Sequence, residues 1–265
     1  YKNLPLIFGN DPMTPFLHTI ADIDIKTAEE MFKYGGFKSF TDNWKKVVED
    51  PEIDLIDIVT PNSVHPEIAI AAAKNGKHIY CEKPLTNSYE TSLELAELAE
   101  KKGIKSLVGF NYIQNPALFH ARDIVKDGKL GDIHHFRGEM IADYMADPNI
   151  GHSWRNEISK AGSGQIGDTS SHVFSLFKHL TNKKILEVFW HRNIYIKKRP
   201  QTDFGGDFAK KTAINKDAVL IDNETEDKAI TLFKFENTDF FFFGWVTSLE
   251  TVSYTHLRAH ETSIH

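Results

Sequence analysis

Between residues 16 and 110, short apolar runs alternate with segments of helical period. Residues 16–21 read as a strand ending at Asp22, and 26–34 as a helix closed by Gly35-Gly36. Thr41-Asp42-Asn43 precedes a helix over 44–49. Residues 54–59 form a strand with an apolar half that stops at Thr60-Pro61-Asn62, and 66–74 an Ala-rich helix closed by Asn75-Gly76. A short buried strand over 79–81 is followed by a helix over 90–102, with Asn87 and Glu90 as its capping box and Gly103 as its stop. Residues 106–110 supply another strand. Strand–helix alternation with short links implies a parallel sheet with crossover helices, an α/β Rossmann-like arrangement.

After Phe110 the pattern changes. Residues 116–126 carry one more amphipathic helix, 133–141 a long strand, and 164–180 a helix with Ile166, Val173, Leu176, Phe177 and Leu180 on its apolar side. Residues 185–196, 228–235 and 240–247 are rich in β-formers, and Glu236-Asn237-Thr238-Asp239 reads as a hairpin turn. This predicts a second, α+β domain built on a large, mostly antiparallel sheet. The expected division is 1–110 for the nucleotide-binding domain and 111–251 for a substrate and oligomerisation domain. Residues 198–225 read as a polar loop, and the aromatic run 240–243 offers large side chains to both faces of its strand. Residues 252–265 break the strand texture and resemble a translated sequencing adapter, so they are expected to stand outside the fold, and His256, His260 and His265 to carry no function.

The first strand and Gly-rich turn of the expected sheet are not seen before Phe16. The chain is therefore expected to be an internal part of a longer protein, cut at both ends, and to bind a dinucleotide weakly by itself. Gly162-Ser163-Gly164-Gln165-Ile166-Gly167 matches the dinucleotide pattern in letters. No buried strand precedes it, and it follows the α/β repeats, so it is rejected as a phosphate loop.

Composition narrows the class. Hydrophobic residues make up 41% of 265, enough for a sizeable core. No apolar run is long enough to span a membrane. The net charge of -6 has no basic block, which argues against nucleic acid. The single cysteine, Cys81, excludes an internal disulfide, reads as a small buried hydrophobe and suits a reducing cytoplasm.

The candidate chemistry centres on Ile79-Tyr80-Cys81-Glu82-Lys83-Pro84. Pro84 ends the strand and leaves Lys83 at its carboxyl end, where ligands of open parallel sheets bind. Asp22, after the strand at 16–21, is placed to accept from a ribose diol and would repel a 2′-phosphate, favouring NAD over NADP; the alternative is a cap for the next helix.

Thr60-Pro61-Asn62 with His65, Glu82-Lys83-Pro84, and Gly167-Asp168-Thr169-Ser170-Ser171-His172 occur in that order. This trio resembles the Gfo/Idh/MocA family of NAD(P)-dependent oxidoreductases, supported by Val108-Gly109-Phe110-Asn111-Tyr112 and Ser153-Trp154-Arg155. The resemblance implies hydride transfer between NAD(P) and a secondary alcohol of a polyol, inositol or sugar. It also implies a homo-oligomer at full length. Some relatives are NAD-dependent glycosidases, and a non-catalytic NAD or sugar sensor is the third reading. By resemblance, Lys83, Asp168 and His172 are the catalytic set. Asp22, Thr60, Pro61, Asn62, His65, Glu82, Lys83 and Asn111 are the cofactor-binding residues. Tyr112, Arg155, Asp168 and His172 bind substrate, with Asn111 and Tyr112 at the interdomain cleft.

The chemistry of these side chains agrees. Oxidising an alcohol requires a group to take the hydroxyl proton, and histidine does so near neutrality. Asp168 and His172 are four apart, so one helix face would present both. Lys83 can stabilise the alkoxide. The plainer alternatives are a surface lysine, a carboxylate on a helix N-terminus and a core histidine. A metal at Asp168 and His172 would need a third ligand, which the sequence does not offer.

Overall fold

The computed structural model describes residues 14–201 and 218–237, and the backbone of 242–247. The chain divides into two compact units: residues 1–59, 65–81 and 88–107 in the first, and 60–64, 82–87 and 108–265 in the second. The readings placed on 1–13, 202–217, the side chains of 240–243 and the tail at 252–265 lie outside the described residues.

In the first unit, β1 (Thr19–Ala21) leads through α1 (Ile25–Gly35) to β2 (Ser39–Thr41), paired in parallel with β1. After α2 (Trp44–Glu49), β3 (Leu55–Ile58) pairs in parallel with β4 (His78–Cys81), with α3 (His65–Lys74) as the crossover. α4 (Tyr89–Lys102) leads from β4 to β5 (Ser106–Val108), and the sheet order is β3-β4-β5. The alternation read from the pattern is present, with β2 added to it. Three residues, none of them buried, give no periodic signal of their own. The core follows the apolar positions: Ile56 and Ile58 of β3, Ile79 and Cys81 of β4, and Ala69, Ala72 and Ala73 of α3 are buried. Small alanines let α3 lie close over the strands. The cap of α4 is Ser88, whose hydroxyl accepts from the Thr91 N–H, and not Asn87. The Lys83–Pro84 peptide is cis.

The second unit has α5 (Pro116–Lys126), β6 (Arg137–Ile141), a short α6 (Ile158–Ala161), α7 (Ser171–Thr181), β7 (Ile185–Asn193), β10 (Lys228–Phe235) and β11 (Phe242–Thr247). The polar stretch expected to be a loop carries β8 (Lys198–Pro200) and β9 (Leu220–Asp222), paired antiparallel. The larger sheet has the order β6-β11-β10-β7. β10 is antiparallel to both neighbours, and β6 joins β11 in parallel. β10 alternates strictly, with Ala229, Thr231, Phe233 and Phe235 buried on one face. Against that face α7 brings Val173 and Phe177, with Phe136 and Phe174 filling the edges. Each fully buried phenylalanine contributes about 2–3 kcal/mol of burial free energy. This packing fixes α7, and with it the two residues of interest at its N-terminal end.

Candidate active site

Ahead of α7 the backbone does not continue as an α-helix. Residues Ile166–Ser170 form a π-helical turn that carries Asp168, and α7 follows directly with His172 in its first turn. The single helix expected over 164–180 is thus a widened turn leading into an α-helix. Insertions of this kind are frequent at functional sites. The turn is capped from another part of the chain. Glu226, whose side chain is buried, accepts through Oε1 from the N–H groups of Gly164 and Ile166 at 2.9 Å each, and its backbone carbonyl accepts from Gln165. A carboxylate at a helix N-terminus satisfies otherwise orphaned donors and matches the macrodipole. The Gly-rich letters have the same cause. A Cβ on Gly164 would lie 1.9 Å from the Glu226 carbonyl oxygen, and Gly162 has φ +80. These glycines serve close packing and a left-handed turn, and α6, not a strand, precedes them.

Lys83 Nζ donates to the Asp168 carbonyl at 2.8 Å and forms a shorter contact with Asp168 Oδ1. Tyr144 donates its hydroxyl to Asp168 Oδ2 at 2.6 Å. Arg155 Nη1 lies 3.6 Å from Oδ1, and its guanidinium stacks on Trp154 at 4.3 Å. Burial alone would raise the Asp168 carboxyl, but the Lys83 and Arg155 charges and the bonds from Lys83 and Tyr144 outweigh it and hold it below its ordinary value. His172 is buried, with its ring edge-on to Phe110 at 5.7 Å and to Tyr112 at 4.7 Å. Burial and the nearby Lys83 cation lower its pKa to about 4, against a smaller opposing effect of Asp168. The ring is therefore neutral at pH 7.

The remaining expected residues fall into two groups. Asn62 is buried, donates to the Ala161 carbonyl at 2.9 Å, and lines a polar cavity together with Tyr144, Trp154, Arg155 and Asp168. Thr60, Pro61, Glu82, Asn111 and Tyr112 belong to the same unit as that cavity. Glu82 accepts from the Lys83 N–H, and Tyr112 is 53% exposed beside the His172 ring. Asp22 and His65 belong to the first unit. Asp22 is not the helix cap: Asp24 caps α1, and Asp22 Oδ1 accepts from the Asp24 N–H. His65 is fully buried at the start of α3. Among the described residues, no cluster of potential ligands is arranged to hold a metal ion, and no helix is long and apolar enough to cross a membrane.

Three functional neighbours escaped the sequence reading. Tyr144 lies in the aperiodic stretch after β6, Arg199 in the segment read as a polar loop, and Glu226 just beyond that segment, ahead of β10. The one available signal was a charged pair, Glu226-Asp227, just before a strand of alternating apolar residues.

Residues 12–110 match a family model described as an oxidoreductase family with an NAD-binding Rossmann fold, and residues 119–265 match the GFO/IDH/MocA C-terminal domain. Levoglucosan dehydrogenase of Pseudarthrobacter phenanthrenivorans is 35% identical over 258 residues, which are 97% of this chain and 64% of that protein. The chain thus spans less than two thirds of that relative. The scyllo-inositol 2-dehydrogenase (NAD(+)) of Bacillus subtilis is 33% identical over 167 residues, 63% of this chain and 46% of that protein. Among solved structures, a levoglucosan dehydrogenase in complex with NADH and levoglucosan superposes with a TM-score of 0.81 at 33% identity. It covers 94% of this chain and 62% of that one.

Proposed function

The chain belongs to the GFO/IDH/MocA oxidoreductase family, and on that premise we propose that it serves NAD-dependent oxidation of a secondary alcohol on a cyclic sugar or polyol. The observation that carries this reading is the meeting of Lys83 from one motif with Asp168 and His172 from another, beside a polar cavity. Levoglucosan and scyllo-inositol, which the two relatives are named for, are polyhydroxylated rings, and the cavity side chains Arg155 and Asp168 offer a donor and an acceptor to such hydroxyls.

The residues present fit a dinucleotide. Asp22 stands at the carboxyl end of β1, and the next residue, Ile23, is 93% exposed, giving an acid for a ribose diol and an apolar surface for a base. Asn62 and Asn111 are the further polar side chains assigned to that role. Bound NAD would supply the hydride acceptor. Lys83 has three N–H groups, two of them committed to Asp168, so the third can donate to the reacting oxygen and stabilise its alkoxide character. Asp168, held ionised, accepts from a substrate hydroxyl and orients it. His172, neutral at pH 7, takes the hydroxyl proton at a ring nitrogen. Tyr112 and Arg155 contact the substrate.

Self-association at full length is part of the proposal. Val188, Phe189 and Trp190 on β7 are about half exposed or more, and Phe189 pairs in register with Leu232 on the sheet face that α7 leaves open. Sedimentation of the complete protein as a clean monomer would contradict it. The catalytic reading is tested by mixing the complete protein with NAD and a panel containing levoglucosan, inositols and aldoses. NADH is expected from at least one ring alcohol. Release of an aglycone without NADH would instead mark glycosidase chemistry.

A further inference from the structure

The carboxylate of Asp168 is gripped from two sides, and the sides differ in kind. Oδ1 faces two cations, Lys83 and Arg155. Oδ2 accepts from a neutral phenol, Tyr144, at 2.6 Å. Lys83 and Arg155 sit on long, rotatable stems, whereas a tyrosine has two side-chain torsions and a rigid ring. Tyr144 also adjoins a segment whose backbone is tied down. It begins a stretch whose carbonyls converge on Arg199 of β8. The fully buried guanidinium of Arg199 donates to the carbonyls of Met145 at 2.7 Å, Asp147 at 3.0 Å and Ile150 at 3.4 Å. A second tie comes from the Asp147 carboxylate, which accepts from the Asn149 backbone and amide at 2.9 Å each. Asp227, which contributes to the field at Arg199, accepts from the backbone N–H groups of Tyr195 and Ile196 and so holds the approach to β8. An ordered path thus runs from a buried arginine through a tied loop to one oxygen of the site carboxylate.

Building on the dehydrogenase reading above, we propose that Tyr144 is a positioning residue: its hydroxyl fixes the plane of the Asp168 carboxylate, so that the substrate hydroxyl meets one orientation only. Tyr144 does not take part in proton transfer. Burial and the Asp168 charge push its phenol well above the ordinary value, and it stays a donor throughout the working range. Supporting the site side chains from a rigid second layer is what keeps reacting groups within bonding geometry. The charged groups that face Asp168 are Lys83, Arg155 and the titratable His172, and Arg155 and Arg199 act on Tyr144.

The test is Tyr144→Phe in the complete protein, which keeps the ring and removes only the hydroxyl. With the sugar that gives NADH, kcat is expected to fall about tenfold, the scale of one hydrogen bond to a charged group. NAD affinity is expected to stay within error of the wild type, and the melting temperature at pH 7 to fall by no more than a few degrees, about the cost of the lost hydrogen bond. The acid limb of the kcat/KM profile should move to higher pH, because the lost bond had favoured the ionised carboxylate. A second readout needs no turnover: a carbon-13 NMR titration of the Asp168 carboxyl, whose midpoint should rise in Tyr144→Phe. Unchanged kcat together with an unchanged midpoint overturns the proposal. A lowered melting temperature with both pH readouts unmoved assigns Tyr144 a packing role and overturns it equally. If the wild type oxidises no sugar while the carboxyl midpoint still rises in the variant, the functional reading fails and the positioning of Asp168 stands.

Discussion

Lys83 Nζ binds Asp168 twice, through the backbone carbonyl and through the carboxylate, across a sequence separation of 85 residues. A cation that served only as a surface charge would not need both. Lys83→Ala removes the donor to the reacting oxygen and one of the cations holding Asp168 ionised. It is expected to lower kcat by about 10²–10³-fold, as for loss of one oxyanion donor. NAD affinity, read by fluorescence titration, should change by less than about threefold, since 1.4 kcal/mol corresponds to tenfold. Equal losses in both quantities would assign Lys83 to cofactor binding alone.

His172 gives a pH signature. Its ring stays neutral in the fold down to about pH 4, while in the unfolded chain it protonates at its ordinary value. The unfolded state therefore binds more protons between these two values. The stability this ring contributes is complete above the ordinary histidine pKa and is lost progressively as pH falls toward 4. Urea denaturation at pH 7.5 and pH 5 should show the difference in the wild type, and His172→Gln should reduce it. For the same reason the rate profile should carry no limb near pH 6.5. A limb there would mean that the ring titrates normally.

Asp22 should set cofactor choice. It is spared from capping by Asp24 and stands beside the exposed Ile23. Asp22→Ser is expected to weaken NAD about tenfold, the worth of one charge-assisted hydrogen bond, and to leave NADP binding unchanged or improved. Parallel titrations with both dinucleotides check this, and an unchanged ratio would remove Asp22 from the site.

Glu226 should matter for stability before chemistry. Glu226→Ala leaves the buried N–H of Gly164 and the part-buried N–H of Ile166 without their acceptor, at about 1–3 kcal/mol for the buried group. Glu226→Gln keeps an acceptor oxygen and should lose less. Thermal denaturation of both variants distinguishes a cap from a charge in need of a partner.

These residues mark what the sequence could disclose. Lys83, Asp168 and His172 were legible because each sits in a short motif whose neighbours set local backbone: proline after the lysine, and a one-turn spacing between the acid and the imidazole. The strand–helix alternation was legible for a similar reason, since period and turn residues are local. Tyr144, Arg199 and Glu226 were not, because their roles arise from partners far along the chain, as in the 62-residue separation between Glu226 and Gly164. The π-helical turn was hidden too, since its residues are compatible with an ordinary helix, and β8 and β9 are too short for their alternation to register.

The chemistry proposed for this site is oxidation of a ring alcohol with NAD. The most direct measurement is absorbance at 340 nm in the complete protein with NAD and the sugar panel. NADH formation is expected with a cyclic polyol or anhydro-sugar, and its loss in His172→Gln and Lys83→Ala. Silence across the panel while NAD remains bound would contradict it.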